Sequence, residues 1–143
     1  MKLRKNLGRI LITVVLVSDA VVSTAVDWND SHLFNPVWTA HARFHDASML
    51  NLLWGVSILA LWLLWRRSSE PEVGVRAAAL IPVIYRIAFL YITWVIPGTS
   101  LSPSAEPPPY IGSIPIYGNV IAALVSIGLS SLGYWLYRRE SKT

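Results

Sequence analysis

The sequence predicts an all-α integral membrane protein, a four-helix bundle with both termini in the cytoplasm. Three observations carry that expectation. Of the 143 residues, 54% are hydrophobic and only 14% are charged, against about 25% charged in soluble domains. The apolar residues run in long blocks rather than with a period of 3.6 or 2, the pattern of helices solvated by lipid. The basic residues sit at the ends of those blocks, and on alternate ends.

The first block covers about 10–26, behind Lys2, Arg4, Lys5 and Arg9. The second covers about 47–65 and ends on Arg66-Arg67. The third covers 77–96, after Arg76, and the fourth covers 118–137, before Arg138-Arg139. Each approaches the ~20 residues that cross ~30 Å of hydrocarbon. The chain is thus one transmembrane domain, 1–143, with external loops 27–46 and 97–117. Those two loops hold only Arg43 between them, whereas the opposite segments carry every other Lys and Arg except Arg86, which lies within the third block. By the positive-inside rule the termini are cytoplasmic, which suits a bacterial inner membrane. Trp28, Trp38, Trp65, Trp94, Trp135, Tyr117 and Tyr137 fall near block ends, where amphipathic rings favour the interface.

The first block admits a competing reading. Ser23-Thr24-Ala25, behind a basic and then an apolar stretch, has the spacing of a signal-peptide cleavage site. Asp19 interrupts the apolar core, so an uncleaved helix is the expectation. The second external loop, Pro103 to Pro115 with the triplet Pro107-Pro108-Pro109, should be extended and non-helical.

Several function classes drop out. There is no cysteine, hence no disulfide, thiolate metal site or cysteine nucleophile. The net charge of +4 sits at helix ends and does not call for nucleic acid. No phosphate-binding loop or cofactor motif is present, and each helix has too few polar residues to line a pore.

The informative segment is 27–46, which holds all three histidines, His32, His41 and His45, together with Asp27, Asp30 and Asp46. Asn35-Pro36 reads as a turn, and Thr39 as the N-cap of the second helix. From that cap His41 and His45 stand at i and i+4 on one face. Three readings stay open: side chains that satisfy a folded loop, an acid/base or ligand-binding set, and a metal site. No His-Glu-x-x-His and no run of intramembrane His-x-x-x-His motifs is present, so metal is not expected.

The loop also carries a resemblance. Trp28, Asn29, His32, Phe34, Asn35, Pro36 and Trp38, followed by His41, Ala42, Arg43, Phe44 and His45, resemble the signature of an uncharacterised family of small four-helix membrane proteins found in bacteria and fungi. That signature is a Trp-Asn-x-Thr-His-x-Phe/Tyr-Asn-Pro-x-Trp stretch leading into His-Ala-Arg/Lys-Phe-His. Thr39-Ala40 departs from it, since two prolines would be expected there. The resemblance implies the four-helix fold and no function. A second likeness, of architecture alone, is to the emopamil-binding and sigma-2-receptor superfamily of sterol-handling proteins, which place acidic and histidine residues in a lipid-accessible cavity.

Two ionisable residues fall within the apolar blocks, Asp19 past the middle of the first and Arg86 midway along the third. A charge in hydrocarbon costs roughly 2.5–3.5 kcal/mol on insertion scales and usually faces a partner inside the bundle. The two are expected to interact, directly or through Asn51, Tyr85 or water. Pro82 is expected to kink the third helix near Arg86 and free a carbonyl there. Trp54, Trp62, Phe89, Tyr91 and Trp94 could line a lipophilic pocket, although packing or lipid contact is the commoner use. Gly128 and Gly133 with Ser126, Ser130 and Ser131 suggest close helix contact on the fourth helix.

Two function classes follow. In the first, the protein binds, isomerises or cyclises a lipophilic small molecule between its helices near the outer leaflet. His41, His45, Asp46 and Asp19 are then the acid/base candidates, and Arg86, His32, Asp27, Trp54 and Asn51 the ligand-binding ones. Proton shuttling alone would suffice for such chemistry, with no cofactor. In the second, it is a non-catalytic subunit of a homo-oligomer or larger membrane complex, and the loop is a docking surface. An enclosed polar pocket reaching the histidines would favour the first, and a filled bundle with exposed loop aromatics the second.

Overall fold

A computed structural model describes residues 6–102 and 107–141. The basic residues Lys2, Arg4 and Lys5, and the start of the proline-rich connector at Pro103, lie outside the described residues. The helices are α1 (Leu7–Asp27), α2 (Ala40–Trp65), α3 (Pro71–Val95) and α4 (Gly118–Glu140). They run 21 to 26 residues, enough at about 1.5 Å per residue to span the hydrocarbon layer. All four are long and apolar enough to cross a membrane. The chain is an integral membrane four-helix bundle.

Helices α2 and α3 start well over a turn ahead of their apolar blocks, because polar residues can begin a helix in water. The Thr39 side chain accepts from the Ala42 N–H at 3.2 Å, an N-cap that starts α2 at Ala40 and not at Ala47. Pro71 at the first position of α3, with Glu72 in the first turn, starts that helix before Ala77. The second connector is extended through Pro107–Pro109 and then forms a small hairpin, β1 (Tyr110–Ile111) pairing antiparallel with β2 (Ile114–Pro115). Its turn has Gly112 at φ +63° with no positive φ at Ser113, the pattern of a type II′ hairpin turn.

Each helix packs on its neighbours in chain order, α4 closes onto α1, and α1 also touches α3 across the middle. Among the described residues α2 and α4 do not meet. The bundle is therefore a flattened ring with α1 and α3 on its short diagonal. Small residues make this approach feasible. A Cβ on Gly133 would stand 2.8 Å from Ile12 Cγ1, and one on Gly8 would strike the Gly133 carbonyl and lie 2.6 Å from the Tyr137 nitrogen. A Cβ on Gly74 would run into the Leu63 carbonyl, so α2 and α3 also touch backbone to backbone. Gly128 faces open space, and of the two glycines expected to mark a helix contact on α4 only Gly133 does.

The dry core lies toward the end that carries the termini. Ile12, Leu16, Leu64 and Val75 are fully buried there, with Ala60, Ala78, Ala79 and Tyr137. Tyr137, placed by sequence at the membrane surface, turns inward beneath the Arg9 guanidinium, 5.4 Å from its ring centre. Two indoles tie α2 to α1: Trp65 Nε1 donates to Thr13 Oγ1 and Trp54 Nε1 to Thr24 Oγ1, both at 2.9 Å. Helix α3 runs unbroken through Pro82, and the neighbouring Ala79 carbonyl accepts from Ser130 Oγ at 2.7 Å. A bond from α4 thus supports the turn that the proline weakens.

Candidate functional site

Polar groups gather in the other half of the bundle, below the long loops. On α1, Asp19, Ser23 and Asp27 recur every fourth residue and so share one face. Arg86 of α3 reaches Asp19 directly, with Nε at 2.9 Å and Nη2 at 2.8 Å from Oδ1. The second oxygen, Oδ2, accepts from Ser126 Oγ of α4 at 2.6 Å. Ser23 Oγ accepts from Tyr85 OH at 3.1 Å and from Arg86 Nη2 at 3.4 Å. The guanidinium also lies over the Tyr85 and Phe89 rings, 4.9 and 5.6 Å from their centres. Both charges are buried. Removing an ion pair from water is costly, and it is tolerable only when the remaining lone pairs and protons are met. Here three helices meet them.

The loop above is folded by its own polar side chains. Asn29 Nδ2 donates to the Val26 carbonyl at 2.6 Å, and its Oδ1 accepts from the Ser31 N–H at 2.8 Å, which ends α1 in an Asx turn. Asn35 Oδ1 accepts from the Val37 N–H at 3.1 Å across the Asn-Pro turn. Arg43, in the first turn of α2, donates from Nη2 to the Asn35 carbonyl at 2.8 Å. Leu33 is buried, and its N–H donates to the Asp27 carbonyl at 3.0 Å. The Trp28–Phe34 and His32–Trp38 rings meet edge to face.

The three histidines divide between two places. His32 points inward, with Nδ1 2.8 Å from Ser31 Oγ and Nε2 3.9 Å from Asp27 Oδ1. Asp46 lies close enough to Asp27 and His32 for their charges to interact, and its Oδ2 is shielded with no hydrogen-bond partner among the described residues. His41 and His45 are exposed on the outer face of α2, their Nε2 atoms 3.0 Å apart. One imidazole donates and the other accepts, and Phe44 stacks on His41. Among the described residues no three His, Asp or Glu side chains stand in a metal-binding group.

Below the histidine pair lies a groove of about 190 Å³ between α2 and α3, open to the lipid side. Met49, Leu52, Leu53 and Val56 line one wall, and Ile81, Ile84 and Tyr85 the other. His41, His45, Met49, Leu52 and Val56 fall at helical spacing on a single face of α2, which places the histidines one and two turns before Met49, outside the groove's lining. The Tyr85 hydroxyl at its inner wall is the link to Ser23 and, through it, to the Asp19–Arg86 pair.

Sequence reasoning placed Asp19 opposite Arg86, and the contact is direct. It missed Ser23 and Ser126 as partners. The fourfold spacing of Asp19, Ser23 and Asp27 was the available signal for the first. Asn51 is exposed and does not mediate the pair. Trp54 is tied to Thr24, and Trp62, Tyr91 and Trp94 project outward. Phe89 alone of those aromatics lies at the buried charges.

Residues 11–143 match the model of DUF6640, a family of unknown function, and the chain belongs to that family. No curated protein and no solved structure matches the chain.

Proposed function

We propose that this DUF6640 member binds a lipophilic small molecule at the α2–α3 groove, the apolar body against Met49, Leu52 and Ile84 and a polar end at His41 and His45. The observation that carries the reading is the single stripe on α2 that joins an apolar, lipid-open groove to a pair of hydrogen-bonded imidazoles. A groove of this size suits one chain or ring system, with few polar groups to orient it. With the termini in the cytoplasm, its mouth faces the outer leaflet of a bacterial inner membrane.

The chemistry open to the site is proton transfer. Imidazole can both give and accept a proton, and His41 and His45 already share a hydrogen bond. An isomerisation or cyclisation would need no more than that. Asp19 and Arg86 take a different part in this reading: their bonds are already met within the bundle, so they hold the groove's inner wall through Tyr85.

Native mass spectrometry with lipid extraction on the detergent-purified protein tests the proposal. A co-purifying small molecule that is lost in His41→Ala/His45→Ala, and also in the groove-filling Val56→Trp, is the expected result. An empty wild type, or a molecule retained in both variants, refutes it. That result would turn attention to the second reading, a non-catalytic subunit docking through its loop in a homo-oligomer or larger complex. The exposed Trp28, Phe34 and Phe44 favour that alternative.

A further inference from the structure

A second groove, distinct from the one under the histidines, opens between α3 and α4 at the end that carries the termini. Its volume is about 170 Å³, and it is lined by Arg76, Ala79, Leu80, Val83, Ser131 and Tyr134. The floor is apolar and the rim is not. Arg76 is exposed and forms no ion pair among the described residues. The nearest carboxylate partner on α3, Glu72, is already occupied: Oε1 accepts from Arg138 Nη1 at 2.6 Å and from Tyr134 OH at 3.2 Å. Arg138 takes Glu72 as its partner, and Arg76 stands without an ion pair among the described residues beside two hydroxyl side chains, Ser131 and Tyr134.

We propose that this groove holds an anionic glycerophospholipid, with one acyl chain along Ala79, Leu80 and Val83 and the headgroup phosphate on Arg76. The position argues for the occupant. Arg76 stands about one and a half turns into α3, roughly 8 Å from its first residue, a depth from which a long side chain reaches the headgroup layer. The groove faces lipid, so an acyl chain is its native solvent, and an unpaired guanidinium at its mouth is complementary to phosphate. Basic pockets between transmembrane helices recognise anionic headgroups in this way. The terminal end also carries Arg9, Arg66, Arg67 and Arg139, which favour anionic lipid diffusely, so the test must separate one site from that general field.

The experiment reconstitutes the full chain in nanodiscs of equal phosphatidylglycerol and phosphatidylcholine. Native mass spectrometry then counts the lipids retained on the released protein. Wild type should keep phosphatidylglycerol in preference. Arg76→Gln should lower that preference about fivefold, the effect of one basic residue near a membrane surface, and Arg76→Lys should restore most of it. Arg67→Gln removes an equal charge from the neighbouring loop and should leave the preference unchanged. Ser131→Trp, which fills the groove from an exposed position, should reduce the number of retained lipids with Arg76 intact. The proposal is overturned if Arg67→Gln and Arg76→Gln act equally, or if Ser131→Trp retains as many lipids as wild type.

Discussion

In the terminal half of the bundle Ile12, Leu16, Leu64 and Val75 are fully buried between the helices, and Gly8 and Gly133 bring two backbones into contact. In the long-loop half the same inward faces carry Asp19, Ser23, Arg86 and Ser126. Both halves are closely packed, but by different forces. In lipid there is little hydrophobic drive to bring helices together, so association rests on close van der Waals fit and on interhelical hydrogen bonds. The glycine end rests mainly on the first, with Trp65–Thr13 and Ser130–Ala79 bonds beside it, and the charged end mainly on the second. The charged half therefore has few tolerated variants, because each member satisfies another, while the glycine half depends on the absence of atoms.

The largest expected effect breaks the charged half. Arg86→Leu leaves Asp19 buried without its counter-charge and should cost about 3–5 kcal/mol, read as lost resistance to unfolding in a denaturing-detergent titration. Asp19→Leu/Arg86→Leu should recover to within about 1 kcal/mol of wild type, since paired removal leaves no orphan charge. A double variant as unstable as the single would mean that the network does more than satisfy itself.

The glycine half should break at one atom. Gly133→Ala is expected to cost about 1–3 kcal/mol, the cost of overpacking, by driving α4 off Ile12 and Gly8. Gly128→Ala, on the same helix but facing open space, should be neutral or stabilising by up to about 1 kcal/mol. Equal effects at the two glycines would remove the α1–α4 contact from the comparison.

Smaller changes sharpen the boundary between the halves. Ser126→Ala deletes a bond to a charged carboxylate and should cost about 1.5–3 kcal/mol, whereas exposed Ser131→Ala should stay within about 0.5 kcal/mol. Trp54→Phe keeps the ring body and loses the bond to Thr24, for about 0.6 kcal/mol, the mean of interhelical hydrogen bonds measured in membranes. The smallest effect on stability is expected at His41→Ala/His45→Ala, within about 0.5 kcal/mol, because the pair is exposed and touches only its own helix. A large melting shift there would assign the histidines to the fold and weaken their claim on a ligand.

Much of this was legible in the residues. The four spans follow from hydropathy. The Thr39 cap and the i, i+4 histidines follow from α2's first turn, and the Asp19–Arg86 contact follows from the cost of a lone charge in hydrocarbon. The hairpin after Pro109 lies beyond the extended connector that the prolines predict: Ile111-Gly112-Ser113-Ile114 carries the turn chemistry, but a two-residue ladder leaves no strand pattern in the residues. By its spacing with Gly133 and Ser130, Ser126 reads as a small packing residue. Its bond to Asp19 spans 107 positions of sequence, and no local pattern points across that distance.

Hydropathy along the chain sets how many times it crosses and which residues sit at similar depth, because both are sums taken along one helix against a slab of fixed thickness. Tertiary structure alone decided which faces meet. The short diagonal between α1 and α3, the three-helix environment of one carboxylate, the inward turn of Tyr137 and the two separate grooves all depend on shapes contributed by helices far apart in the chain. Depth is a property of each helix against the membrane, whereas contact is a property of two surfaces, and in lipid it is small residues and hydrogen bonds on both that choose the match.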